Sequence, residues 1–311
     1  MHTGAIPQPN GVIEKANGVL EVDSDPLAVD LNDNYTFPSS EAPTSTSPHW
    51  REQQEMQPVW LCEVTRAPVT YAACISCART RQQPSCPFPP TLLTALHAAN
   101  QPDDVVEAIR HTGYPVLRVS SLLGCKYKSW LGRNQGYPLE TPSEHWARLR
   151  GTLIHKAIEE MGAAGSGLIE QRLTAFVWDE NVATFVSGRV DLYDIESRTL
   201  FDFKTVNTGK GGINSLQLPK PRHVNQLQIY SWLLAKNGYP PPTSIRIAYL
   251  TMSELRTVDA PAPDLAARER IEQWVLSIAR DLLSPTPPPA RALEPWECRL
   301  CPFTQCKANK R

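Results

Sequence analysis

The 311-residue sequence has no apolar run long enough to span a bilayer, which takes about 20 consecutive apolar residues, so no membrane partner is expected. Its N-terminus lacks the basic-then-apolar order of a secretory signal, which makes the cytoplasm, a reducing compartment, the expected location. A phosphate-binding loop is also missing. Gly209-Lys210 invites the comparison, but the motif needs Gly at 204 and Ser or Thr at 211, where Lys204 and Gly211 stand. Any motor activity would therefore belong to another chain. There is no internal repeat, and the net charge is only −1. That small value conceals an asymmetry: residues 1–58 hold nine acidic and two basic side chains, a net of −7, which leaves +6 on the remainder. A modestly basic body suits a polyanionic partner, and it suits an ordinary mixed surface equally well.

Proline and cysteine are what the chain has in quantity, with 29 and eight respectively. In a reducing compartment cysteines read as metal ligands or spare thiols before disulfides. Residues 1–57 are polar, acidic and rich in Pro, Ser, Thr and Asn, without sustained periodicity, and read as a disordered tail. Residues 58–115 hold a Cys- and Pro-rich patch and helical sequence over 91–111, broken near Pro102. From residue 116 to the end the chain reads as a larger domain. Trp146, Leu149, Leu153, Ile154, Ala157, Ile158 and Met161 recur at helical spacing, with Ser143 as N-cap, Trp146 opening the apolar stripe and Gly162 ending the helix. Strands are expected at about 168–178, 184–194 and 199–205, the last two as a hairpin turning at Asp194–Arg198. A helix over about 223–236, a strand over 245–251 and a helix over 264–283 follow, and Pro285–Pro289 forces an extended linker. This order predicts an α/β fold, a small mixed sheet flanked by helices.

The central chemical signal is Gly188-Arg189-Val190-Asp191 followed by Asp202-Phe203-Lys204. Asp202 and Lys204 are two apart on a strand and share one face, while Phe203 points the other way. Asp191 on the partner strand can reach the same face. Two carboxylates and a lysine there suit Mg²⁺ or Mn²⁺, which prefer hard oxygen ligands, with a cation beside the reacting phosphate. Glu170 opens the preceding strand; a surface position is expected for it, with contact to the site as the alternative.

G-x-x-D followed about ten residues later by D-x-K resembles the motifs of the PD-(D/E)XK nuclease superfamily. Gly151-Thr152-Leu153-Ile154-His155 resembles the G-x-x-x-H helix of its RecB-like branch, and Gln226-Leu227-Gln228-Ile229-Tyr230 resembles the Q-x-x-x-Y helix. The resemblance implies that His155, Asp191, Asp202 and the backbone carbonyl of Phe203 hold the divalent metal. It makes Lys204 the residue that activates water, and Gln226 and Tyr230 the residues that position DNA. Three terminal cysteines, Cys298, Cys301 and Cys306, with Cys125 ahead of the core, are similar to the [4Fe–4S] ligand set of CRISPR-associated RecB-like exonucleases and of the AddB nuclease domain. A zinc ion on the same thiolates is the other reading. The resemblance spans about 117–306 and makes 116–311 the nuclease domain. It does not reach Cys62, Cys74, Cys77 and Cys86, which could form a separate zinc site and a surface for DNA or a protein partner. The expected function is cleavage of DNA, single-stranded by preference, as an exonuclease or end-processing enzyme in repair, recombination or phage DNA metabolism. A CRISPR-associated spacer-processing nuclease, and a non-catalytic DNA- or protein-binding module on the same fold, are the alternatives.

Overall fold

The long strands β4 (Gly167–Trp178) and β5 (Ala183–Asp194) pair antiparallel from end to end, with one break at Glu170. The computed structural model describes residues 58–80, 86–99, 104–162, 167–206, 208, 211–251, 253–291, 297–298 and 301–306. These lie within one unit, Thr46–Arg311; the other, Met1–Ser45, and the rest of the expected acidic tail fall outside the described residues.

Before the sheet come a two-stranded hairpin, β1 (Trp60–Leu61) and β2 (Pro68–Val69), and helices α1 (Tyr71–Thr80), α2 (Pro90–Ala98) and α3 (Asp104–Arg110). The single broken helix expected over 91–111 is thus two helices. Then follow β3 (Val116–Arg118), α4 (Val119–Leu122), α5 (Lys126–Gln135) and α6 (Pro142–Gly162). After β4 and β5 come β6 (Thr199–Thr205), α7 (Pro221–Lys236), β7 (Ser244–Leu250), β8 (Leu255–Ala260) and α8 (Leu265–Leu283). No described helix is long and apolar enough to cross a membrane.

The sheet is mixed. On the side away from β4, β5 pairs in parallel with β3 over Phe185–Ser187 and antiparallel with β6 over Leu192–Asp194. β6 pairs in parallel with β7, and β7 antiparallel with β8. The expected hairpin is real but short. It holds for three residue pairs, after which β6 leaves β5 and runs on beside β7 alone. A gap therefore opens between β5 and β6 beyond Leu192 and Phe201.

One face of the sheet carries the main core, in which Leu173, Val186, Val190, Leu200, Ile247 and Tyr249 pack with Leu227 and Leu233 of α7 and Val275 of α8. α6 lies on the other face, where the His155 ring stands edge-on to Phe203 at 6.3 Å. Its N-terminal half joins a second, smaller cluster of Trp60, Cys74, Ile75, Leu93, Leu96 and Leu149. Two expectations for α6 fail here. The helix begins one residue before Ser143, and the first turn is closed by Thr141 and Glu144, whose carboxylate accepts from the Thr141 amide at 2.7 Å. Trp146 does not open a buried stripe: it is 47% exposed, and Leu153 is 48% exposed. Spacing alone could not tell which stripe position meets the Cys-rich segment and which meets solvent.

Candidate active site

The side chains singled out from the D-x-K and G-x-x-D motifs meet at the gap between β5 and β6. Where β6 departs, the Phe203 amide loses its strand partner on that side and donates instead to Asp191 Oδ2, at 2.7 Å. Lys204 Nζ donates to Asp202 Oδ1 at 2.8 Å and lies 2.7 Å from Oδ2. Asp202 is fully buried, while the lysine keeps 21% of its side chain exposed, so the pair runs from the core to the mouth of the gap.

From the opposite face α6 brings in His155, whose Nδ1 lies 2.7 Å from Glu170 Oε1 and 3.6 Å from Asp191 Oδ1. Ligand atoms of His155, Glu170 and Asp191 all lie within 4.8 Å of one another, close enough for one metal ion. Glu170 is therefore not the surface residue expected. Its backbone has a positive φ of 50°, and it is left out of the ladder although its neighbours pair in register on both sides. The strands change faces at this point. On β4 the core residues are Leu173, Ala175 and Val177 on one side of Glu170 and Leu168 on the other; on β5 they are Val186 and Val190, then Tyr193. The parity of burial switches at the Glu170–Asp191 position, and both carboxylates emerge at the switch. Strict alternation places Glu170 wrongly because it assumes no such break.

Burial and then the charge of Asp202 push the Asp191 carboxyl up to about 7, against the pull of Lys204, His155 and the Phe203 amide. Asp202 is also raised, by burial first, with Lys204 opposing. For His155, burial disfavours the imidazolium, but the Glu170 hydrogen bond and the charges of Asp191 and Glu170 outweigh it and hold the group above its ordinary value. Packed carboxylates that resist ionising together are what a cation would relieve. A carboxyl whose native pKa exceeds its unfolded value of about 4 stabilises the fold fully at low pH, and loses that contribution as pH rises through about 7. The raised His155 acts in the same sense. Metal-free protein is therefore expected to melt at a lower temperature at pH 8 than at pH 5.5, with Mn²⁺ restoring the loss at pH 8. Equal melting temperatures at both values would contradict this electrostatic picture.

The Q-x-x-x-Y residues lie on the core face of the sheet. Gln226 Nε2 donates to the Tyr230 hydroxyl at 2.9 Å, and Tyr230 is buried. Its ring crosses β5 at Gly188, where an added Cβ would sit 2.7 Å from Tyr230 Cε1, 2.8 Å from Val119 Cγ2 and 3.0 Å from Leu233 Cδ1. The glycine of the G-x-x-D motif is thus required by close helix approach. Gly188→Ala is expected to cost about 1–3 kcal/mol through overpacking, read as a lower denaturation midpoint. An unchanged midpoint would show that α7 can move away freely. His223, which the sequence did not single out, stands behind the site with Nδ1 3.1 Å from the Tyr249 hydroxyl. Burial, then Lys204, Lys220 and Arg222, press it down to about 3, so it is a neutral group there.

Cys125 sits at the N-cap of α5. The thiol of Cys298 is raised by partial burial and then by Cys125, Cys306 and Cys301, so the four expected cluster ligands share one neighbourhood. Beside them Glu297, buried, pairs with Arg222 of α7 at 3.2 Å. None of the eight cysteines forms a disulfide.

Residues 169–306 match the PD-(D/E)XK nuclease superfamily. The matched segment holds Glu170, Asp191, Asp202, Lys204, Gln226 and Tyr230, and it ends on Cys306; His155 and Cys125 lie ahead of it. It covers less than half of the chain. No curated protein matches. The crystal structure of SSO0001 is similar at 18% identity with a TM-score of 0.49, over 70% of this chain and 94% of that one. The mixed sheet flanked by helices fits the core of the matched superfamily, whose members are typically metal-dependent nucleases.

Proposed function

We propose that this protein is a Mg²⁺- or Mn²⁺-dependent deoxyribonuclease, an exonuclease or end-processing enzyme that favours single-stranded DNA. The observation that carries the proposal is the meeting of His155, Glu170 and Asp191 beside the Asp202–Lys204 pair in the gap between β5 and β6. Asp191, Asp202, His155 and the Phe203 carbonyl would hold the metal, and Glu170 joins them as a ligand or as the group that orients His155. Bound there, the ion would supply Lewis acidity toward a phosphodiester and toward water. Lys204, at the mouth of the gap, orients the attacking water and offsets charge gathering on the phosphate. Glu170 fixes the His155 ring, and the Phe203 amide fixes one oxygen of Asp191, so the ligands are set in advance. Tyr230 is too buried to touch DNA directly and acts by seating α7 on Gly188; Gln226, half-buried, is the member of that pair able to reach a phosphate.

In the same reading Cys125, Cys298, Cys301 and Cys306 hold a [4Fe–4S] cluster that ties the start of the domain to its end. Four thiols from two distant segments, Cys125 and the Cys298–Cys306 stretch, in one neighbourhood fit that group. The test of the catalytic proposal is digestion of end-labelled single- and double-stranded DNA with Mg²⁺, with Mn²⁺ and with chelator. Metal-dependent loss of the single-stranded substrate is expected, with products that give the polarity. No cleavage of either substrate with either metal would overturn the proposal.

A further inference from the structure

The first four cysteines are not used by the nuclease reading, yet the fold collects them. Cys62 ends β1 at a tight turn, in which its amide donates to Ala67 O at 2.8 Å and the Arg66 amide, at φ 59°, donates to Cys62 O at 2.9 Å. Cys74 and Cys77 are one turn apart on α1, so both sulfurs leave the same side of the helix. Cys74 is buried in the small cluster with Trp60, Ile75, Leu93 and Leu96, and Cys86 packs against that cluster.

Two features prepare these sulfurs for negative charge. The Trp60 indole N–H is buried without a hydrogen-bond acceptor of good geometry, and it faces the Cys74 sulfur. The hydroxyl and amide of Thr65 and the amide of Val64 turn toward the Cys62 sulfur. Cys86, Cys62 and Cys77 lie within charge–charge range of Cys74. N–H donors thus point at two of the four sulfurs, those of Cys62 and Cys74.

We propose that Cys62, Cys74, Cys77 and Cys86 form a structural site for one zinc ion, which fastens the Cys-rich segment onto the first turn of α6. Zinc is a tetrahedral ion that takes four thiolates in closed sites at about 2.3 Å, which brings the sulfurs to roughly 3.8 Å from one another. No three of the sulfurs lie within 4.8 Å of one another here, so closure requires the side chains to turn inward. The same turn that carries Cys62 grips α6. Glu63 accepts from Ser143 Oγ at 2.7 Å and from its amide at 3.1 Å, Arg66 reaches Glu144 at 3.4 Å, and Leu149 packs in the cluster beside Cys74. A core of six side chains is small, and a metal staple is how such segments gain fixed structure.

The test is metal analysis of the full-length protein, wild type against Cys77→Ser/Cys86→Ser and Cys298→Ser/Cys301→Ser. One zinc per chain is expected in the wild type, none in the first variant and an unchanged amount in the second. X-ray absorption at the zinc edge of the wild type should show a shell of sulfur alone. Should the first double variant not fold, the single Cys62→Ser variant replaces it, and the wild-type spectrum stands by itself. A zinc-free wild type, nitrogen or oxygen in the shell, retention of zinc in the first variant or in Cys62→Ser, or loss of iron in place of zinc would overturn the proposal. Because none of these readings uses DNA cleavage, failure here leaves the nuclease proposal intact, and the converse holds.

Discussion

Lys204→Ala is expected to lower the rate of DNA cleavage by at least 10²–10³-fold, the order reported for removing one preorganised group that stabilises developing charge. Asp202→Ala should do the same by removing a metal ligand. The two variants differ in what they leave behind. Lys204→Ala strands a fully buried carboxylate without its cation, so that protein should also lose stability and take up a proton at Asp202. Asp202→Ala leaves the lysine free to turn toward solvent, and should bind DNA as well as the wild type or more tightly, since one negative charge is gone. Single-turnover cleavage, melting curves and binding measured at several salt concentrations separate these effects. Wild-type cleavage by Lys204→Ala protein would remove these residues from the catalytic assignment, whatever the fold.

Cys301→Ser is expected to bleach a brown, iron-containing protein and to lower its melting temperature sharply. The proposed cluster would join Cys125 to Cys298, about 170 residues apart, and cross-links that close loops of this size stabilise by roughly 5 kcal/mol in chain-entropy terms. A staple of that strength would locate α5 against the C-terminal segment, where Glu297 and Arg222 already meet. Purified anaerobically, the wild type should carry about four irons per chain, the content of one [4Fe–4S] cluster. Zinc in place of iron, or a colourless wild type, would refute the cluster while leaving Cys298, Cys301 and Cys306 as possible zinc ligands.

The sequence by itself determined which reactive side chains are brought together and most of the elements that carry them. Period-two spacing put Asp202 and Lys204 on one side of a strand, where they pair. The turn at Asp194–Arg198 brought Asp191 back beside them, because Asp194 accepts from the Glu196 and Ser197 amides and closes the hairpin. Helical spacing placed His155 and the Gln226–Tyr230 pair, which meet through one hydrogen bond. Other features depended on contacts between distant segments. β8 was missed because it is an edge strand with mostly exposed side chains, and carries no apolar signal of its own. β3 was missed because its three residues become a strand only by pairing with β5. Trp146 and Leu149 belong to one helical stripe, yet only Leu149 is covered, since the cluster around Trp60 ends there. Glu170 enters the site because two strands change faces at its position and its own φ becomes positive, a break that residue types do not announce. The reason is common to all four. Spacing along a strand or helix fixes directions relative to that element, whereas burial and convergence depend on what the rest of the chain lays against it.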